Sequence, residues 1–354
     1  MTKDTAMRQT IGLDLGDEES TFVILGKEGE VKETGKVTTS CPALGKRFGK
    51  IGSALIALEV GTHSAWVSRQ LKQMGHEVVV ANPRQLSLIT RSLKKNDRND
   101  AEMLARLARA DIGLLSPIEH RGERAQEHLA VVQARARLVE ARTALINHVR
   151  GTVKAHGERL PGCSAAAFAR KAEAGIPQGL RAALLPLLEA IGWQSDQIRR
   201  YDREVERLSK EEYPESGALR QVIGVGALTA LTYILTLEDK GRFHKSRQVG
   251  AYLGLVPRQQ QSGERKPQLQ ITHAGDRYLR TLLVQCAHYI LGPFGKDCRL
   301  RQWGLKLAGE GSGNQKKRAL AAVARKLAVL LHRLWVSGEV YEPFYQGKGV
   351  ALAA

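Results

Sequence analysis

Cysteine is scarce and unpatterned in this chain: Cys41, Cys163, Cys286 and Cys298 are the only four, and no two stand in CxxC spacing. Neither a zinc site nor a disulfide framework is indicated, and the thiols are expected to be reduced in a cytoplasmic setting. Long apolar runs are missing as well. The longest, Val225 to Leu237, is interrupted by threonines and falls short of the ~20 residues that span a bilayer. The polar start MTKDTAMRQT has no apolar core of a signal peptide. No amphipathic Trp/Lys helix or lipidation motif points to a membrane surface, so no membrane partner is expected. Internal repeats and low-complexity segments are also lacking. Acidic residues are in deficit, 36 against 54 Lys and Arg, a formal +18 that points to a polyanion, with nucleic acid first. The excess is uneven: residues 241–334 hold 18 basic against 4 acidic residues, whereas residues 1–111 hold 17 against 14. Most of the affinity for a polyanion therefore lies in the C-terminal third.

At 354 residues the chain is long enough for two cores, and 43% hydrophobic with 25% charged residues is ordinary for a globular protein. Its most informative stretch is KKNDRNDAEMLARLARA. Asp97, Asp100, Leu104 and Leu107 follow i, i+3, i+7, i+10 spacing, so both carboxylates are expected on the core-facing stripe of an amphipathic helix. Buried carboxylates require a cation or a dense set of donors. The plainer alternative is that Asp97 caps the helix and Asp100 is a first-turn acid favoured by the dipole.

From the N-terminus, TIGLDLG (10–16), STFVILG (20–26) and EVKETGKV (30–37) read as an antiparallel meander with Asp14 near the end of its first strand. ALIALE (54–59) is a further strand that ends on Glu59, and a helix (62–75) and a strand (76–82) follow. Alternation of strand and helix implies a parallel extension of the sheet. The order βββαβαβα matches a ribonuclease H-like layout, in which acids at the ends of central strands and on a late helix converge on divalent metal. Asp14, Glu59, Asp97 and Asp100 occupy those places. Two Mg²⁺ ions about 3.5–4 Å apart, with Mn²⁺ as a substitute, would clamp the attacking and departing oxygens of a phosphodiester.

Residues 119–157 read as one long helix, and 177–210 as a second. The pair is expected to form either an antiparallel hairpin or an intermolecular coiled coil. After Pro214 the texture changes. IGVGALTALTYILTLED (223–239) has a Gly-Val-Gly turn between helical runs, similar to a helix-hairpin-helix element whose amides can bind a phosphate, although a tight structural turn reads equally well. The stretch 241–283 places Ser262-Gly263 in a polar loop bracketed by Arg258, Arg265 and Lys266, followed by a helix bearing Arg277 and Arg280. A serine before glycine is ordinarily a turn residue. In a cationic setting it can also act as a nucleophile, with arginines holding the non-bridging phosphate oxygens. KKRALAAVARKLAVLLHRLW (316–335) is a basic amphipathic helix whose Lys316, Lys317, Arg318, Arg325 and Lys326 are either a solvated face or phosphate contacts. The tail from Gly347 is small and expected to fray.

The DLG strand, the strand-terminal Glu59, the KNDRNDAEMLARL block, the helical middle and the GVGALTA…AYLGLVP…SG…ITHAGDRYLR run together resemble the DEDD transposases of bacterial insertion sequences, the IS one-ten type. The resemblance spans about residues 10–335, and the two longer motifs are specific in combination. It implies a RuvC-like domain (8–115), a coiled-coil region (116–212), an all-α transposase domain carrying the serine loop (213–340) and a tail (341–354). It implies an enzyme that cuts and rejoins donor and target DNA, guided by a structured bridge RNA, acting in the bacterial cytoplasm at the nucleoid as a dimer or tetramer. Carried over position by position, Asp14, Glu59, Asp97 and Asp100 would hold Mg²⁺ and Ser262 would form a transient phosphoserine link to DNA. Arg258, Arg265, Lys266, Arg277, Arg280, Lys316, Lys317 and Arg318 are the expected nucleic-acid contacts. Family members commonly read SSG where this chain reads QSG, with Gln261 in place of the first serine.

Three other classes compete. A sugar-kinase or actin-like ATPase also begins with an IGLDLG…STFVIL pattern, but here no second phosphate or adenosine motif follows. A RuvC-type resolvase would cleave with metal-activated water and leave Ser262 structural. An inert RNA-binding protein would use the acids only to cap and pair.

Overall fold

A computed structural model describes residues 9–82, 96–260 and 269–344, which divide into two compact units, Met1–Arg121 and Gly122–Ala354.

In the first unit, β1 (Thr10–Asp14), β2 (Glu19–Leu25) and β3 (Val31–Thr38) form the expected meander, with Thr10 opposite Leu25 and Asp14 opposite Thr21. β4 (Leu55–Glu59) lies parallel to β1, and β5 (Glu77–Ala81) lies parallel to β4. The order across the sheet is β3-β2-β1-β4-β5. Between β3 and β4 the chain forms α1 (Cys41–Phe48), a helix the order βββαβαβα calls for but to which the residue pattern assigns no range; Pro42 opens it. α2 (Ser64–Gln73) links β4 to β5, and α3 (Asp97–Ala110) follows.

Strand alternation sorts side chains to the two faces. Ile11, Leu13, Ile56 and Leu58 pack with Leu44 and Phe48 of α1 and Val67 and Leu71 of α2. On the opposite face, Leu55, Ala57, Val79 and Ala81 pack with Leu104, Leu107 and Ala108 of α3, and Val23 and Leu25 pack with Ala101 and Ala105. Each fully buried Leu or Ile contributes roughly 1.5–3 kcal/mol, so both layers are held by apolar burial. Gly12 permits the closest approach: a Cβ there would lie 1.8 Å from the Ala101 carbonyl oxygen, so α3 rests on the backbone of β1.

In the second unit, α4 (Glu123–Ala155) and α6 (Arg181–Arg207) pack along each other, with the short α5 (Phe168–Ala172) between them in sequence. Leu129 and Val132 meet Val205 and Leu208, whereas Ile146, Val149 and Val153 meet Leu184, Leu188 and Ile191. The start of α4 thus lies against the end of α6, which makes an antiparallel hairpin within the chain. Arg135 and Asp202 pair across it at 2.6 Å. The same core takes in Leu231 and Leu235 from the helix Ala227–Leu237, so the long helices and the C-terminal helices belong to one unit.

The C-terminal helices are α7 (Ser216–Arg220), α8 (Ala227–Leu237), α9 (Arg247–Tyr252), α10 (Arg277–Leu291), α11 (Arg299–Ala308) and α12 (Gly313–Ser337). Their core gathers Leu219, Tyr233, Leu283, Leu327, Leu331 and Trp335. The buried Tyr233 hydroxyl donates to the Ala328 carbonyl at 2.7 Å. Gly224, at φ +85°, makes the turn between α7 and α8 where the Gly-Val-Gly signal falls. Among the described residues no helix is long and apolar enough to cross a membrane.

Candidate active-site elements

The register of the two central strands decides where the first two acids go. Leu13 pairs with Leu58, so Asp14 and Glu59 follow side by side at the C-terminal ends of parallel neighbours. Asp14 shares its face with Gly12, and Glu59 shares its face with Leu55 and Ala57; both are therefore on the α3 side of the sheet. Both are half-buried.

The direction of α3 brings its first turn to the same end. Arg109, in its last turn, donates to the carbonyls of Gly26 and Lys27, and Arg106 donates to that of Gly29 at 3.4 Å. These carbonyls belong to the turn after β2, which lies beside the start of β1 because Leu25 pairs with Thr10. α3 therefore runs against β1, and Asp97 and Asp100 sit toward the end that carries Asp14 and Glu59. Asp100, next to Ala101, is half-buried. Asp97 is exposed, which corrects the expectation that both acids share the inward stripe. Nor is Asp97 the cap: Asn96 accepts a hydrogen bond from the Asn99 amide at 2.8 Å, leaving Asp97 as the first helical residue. The elements converge, but among the described residues no three His, Cys, Asp or Glu side chains form a group that could hold a metal ion. The paired Asp14 and Glu59 are hard oxygen donors of the kind that divalent cations such as Mg²⁺ prefer, and in that chemical sense they fit one.

A constellation that sequence reasoning missed stands beside them. The His63 Nε2 and Asp17 Oδ1 lie 3.1 Å apart, and the Trp66 indole N–H donates to His63 Nδ1 at 3.1 Å. An indole can only donate, so Nδ1 is the acceptor and the ring proton resides on Nε2, directed at Asp17. This tie joins the turn after Asp14 to the turn after Glu59. The only signal in the sequence was the i, i+3 spacing of His63 and Trp66 just past a strand-terminal acid.

In the second unit the residues flanking the serine loop form two arms. The Arg258 amide donates to the Gln270 carbonyl at 2.8 Å, the Thr272 amide donates to that of Val256 at 2.9 Å, and Pro257 bridges Ile271 antiparallel. Ser262, Arg265 and Lys266, with Gln261, lie outside the described residues. At the base of the arms two glycines cross. Gly254 (φ +67°) would place a Cβ 2.3 Å from the Ala274 amide nitrogen, and Gly275 (φ +69°) would place one 2.1 Å from the Tyr252 carbonyl oxygen. No residue with a side chain fits either position.

Arg280 completes this base and corrects its expected role. It is buried, and its guanidinium donates to the carbonyls of Leu253 at 3.1 Å and Ala274 at 2.7 Å, with a longer contact to Asp276 at 3.5 Å. Burial lowers its pKa from the ordinary arginine value. It therefore joins the two arms rather than facing a nucleic acid. Arg258, Arg277, Lys316, Lys317 and Arg318 are exposed. Asp276 caps α10 by accepting from the Leu279 amide at 2.8 Å.

A mixed sheet in the order 3-2-1-4-5, covered on both faces and carrying acids at the ends of its central strands, defines a ribonuclease H-like unit, here joined to a helical C-terminal one. Sequence comparison narrows the class. Residues 11–157 match the DEDD model of the IS110 type, described as Transposase, and residues 216–297 match the Transposase IS116/IS110/IS902 family. The transposase for insertion sequence element IS1111A of Coxiella burnetii is 30% identical, over 77% of this chain and 75% of its own length. The transposase for IS1328 of Yersinia enterocolitica is 28% identical over 94% of this chain and 98% of its own. A probable family 20 transposase of Pseudomonas aeruginosa is 29% identical over 69% and 73%. The chain belongs to the IS110-type family of insertion-sequence DEDD transposases, and so is an enzyme that acts on DNA. Membership suggests dependence on a divalent metal.

Proposed function

We propose that this transposase cuts and rejoins DNA through a serine nucleophile assisted by the strand-end acids, under the guidance of a structured bridge RNA and as a homo-oligomer. The observation that carries the reading is the side-by-side placement of Asp14 and Glu59 on the α3 face of the sheet, at the end toward which Asp97 and Asp100 lie. Carboxylates drawn together at that end would repel one another without a counter-charge. In this reading Asp14, Glu59, Asp97 and Asp100 hold Mg²⁺, which supplies Lewis-acid stabilisation of the charge building on the phosphoryl oxygens.

The Ser262 hydroxyl oxygen attacks phosphorus, its proton passes to a neighbouring base, and one bridging P–O bond breaks as the nucleoside alkoxide leaves and takes up a proton. A free nucleoside hydroxyl then attacks the serine phosphodiester and regenerates Ser262. The number of phosphodiesters is conserved at every step, so strand exchange needs no nucleotide triphosphate. Arg258, Arg265 and Lys266 neutralise the non-bridging oxygens near the serine, while Arg277, Lys316, Lys317 and Arg318 hold the backbone further away.

Ser262→Ala removes the nucleophile and no charge. Strand cleavage of the element's own terminal DNA, followed on denaturing gels, should stop while binding of the same DNA is retained. Cleavage that persists in this variant, or binding that is lost, would contradict the assignment.

A further inference from the structure

Arg325 and Lys326, which the sequence leaves as either solvated face or phosphate contacts, are set apart by their surroundings. Lys326 Nζ lies 3.4 Å from the ring centroid of Trp303, so the ammonium sits on the indole face. Arg325 is its chain neighbour, and Arg299 opens the helix that carries Trp303. Burial first, and then the Arg299 and Arg325 guanidinium groups, push the Lys326 pKa down to about 8. Like charges held close in a partly dry setting disfavour one another. An anion placed among them would relieve that repulsion.

Of these groups, Arg325 reaches the arms of the serine loop. Gly250 of α9 lets the stem of Arg325 approach, since a Cβ there would lie 3.1 Å from Arg325 Cγ. The Arg325 side chain then lines a groove of about 510 Å³ with Val256, Pro257, Gln259 and Thr272, all from the two arms. The groove is open to solvent.

We propose that this groove, with Arg325 on its wall and its chain neighbour Lys326 held on Trp303, is a seat for the phosphodiester backbone of the DNA strand being processed. Choosing DNA over the guide RNA rests on the reading of Ser262 as nucleophile, because the groove borders the arms between which that serine lies in the sequence.

The test uses the full-length protein and two probes, a labelled duplex of the element's own terminus and a labelled transcript of its flanking noncoding RNA. Arg325→Gln and Lys326→Met remove charge while keeping stem length, and Met retains an apolar contact to Trp303. Removing two phosphate contacts should lower the slope of log affinity against log salt for the duplex by about 1.8 and weaken binding roughly 10-fold near physiological salt. Arg325→Lys should restore most of that slope. Lysine acetylation read by mass spectrometry provides a measurement on the unmutated chain: Lys326 should acetylate readily at neutral pH and be protected by the duplex. An unchanged duplex slope in the double variant would overturn the proposal. So would a loss confined to the RNA probe, or a Lys326 equally reactive with and without duplex. If Ser262→Ala still cleaves while the duplex slope falls as expected, the serine reading fails and the phosphate seat stands.

Discussion

The two units hold their candidate chemistry by different means. In the first, function follows from regular secondary structure: strand register sets Asp14 next to Glu59, and the packing of α3 on Gly12 brings Asp100 to the same end. In the second, it depends on irregular backbone, where Gly254 and Gly275 cross and Arg280 ties the carbonyls of the two arms together. A sheet positions acids through many weak apolar contacts, so conservative change at the acids should be tolerated by the fold. A glycine crossing rests on a few close backbone contacts, so small changes there should be felt strongly.

The largest expected effect separates chemistry from folding in the first unit. Asp14→Asn and Glu59→Gln should each reduce strand cleavage by roughly 10²–10³-fold or more, the scale of losing one electrostatic contact to a transition state. Thermal unfolding should move by only a few degrees. A variant that unfolds would mean that the acid was structural.

The second unit should respond in the opposite sense. Gly254→Ala or Gly275→Ala should cost roughly 2–4 kcal/mol, from a strained positive φ together with backbone overlap. Denaturant unfolding measures this directly, and a loss below 1 kcal/mol would show that the crossing can relax.

Arg280→Met is smaller and sharper. Leaving buried carbonyls without their donor should cost about 1–3 kcal/mol while the salt slope of DNA binding stays as it was. A fall of about 0.9 in that slope would make Arg280 a phosphate contact after all.

These differences also explain what could be read in advance. The five strands and α3 were legible because β-rich runs bounded by turn residues and 3.6-residue periodicity are local signals. The first helix was not, because CPALGKRF offers only a proline start and no N-cap hydrogen bond. In NDRND two residues compete to cap, and only the structure shows Asn96 doing so with Asp97 left exposed. Arg277 and Arg280 looked alike as basic positions three apart. Their separation into an exposed and a buried residue depends on the glycine crossing, a tertiary contact that no spacing rule contains. His63 was passed over for the same reason: its partner Asp17 is distant in sequence and meets it only because β1 and β4 are neighbours.

The smallest expected effect is a pH dependence. The pKa of Lys326, near 8, lies below the ordinary lysine value, so between about pH 8 and the unfolded-chain value the unfolded chain holds a proton that the folded chain lacks. Stability should therefore rise slightly as pH increases through that interval, and the full penalty should be present below it. DNA favours the charged form, so duplex affinity should begin to fall near pH 8 in the wild type and only at higher pH in Lys326→Met. An equal decline in both would assign the titration to another group.

The central claim is that a hydroxyl of this chain, assisted by the strand-end acids, becomes covalently joined to DNA. Purified protein would be incubated with its flanking noncoding RNA, Mg²⁺ and cognate DNA, then denatured, digested and analysed by mass spectrometry for a nucleotide on the peptide containing Ser262. The account predicts a phosphodiester on Ser262 that is lost in Ser262→Ala and greatly reduced in Asp14→Asn. Cleaved DNA with no adduct on any serine would contradict it and point to attack by water.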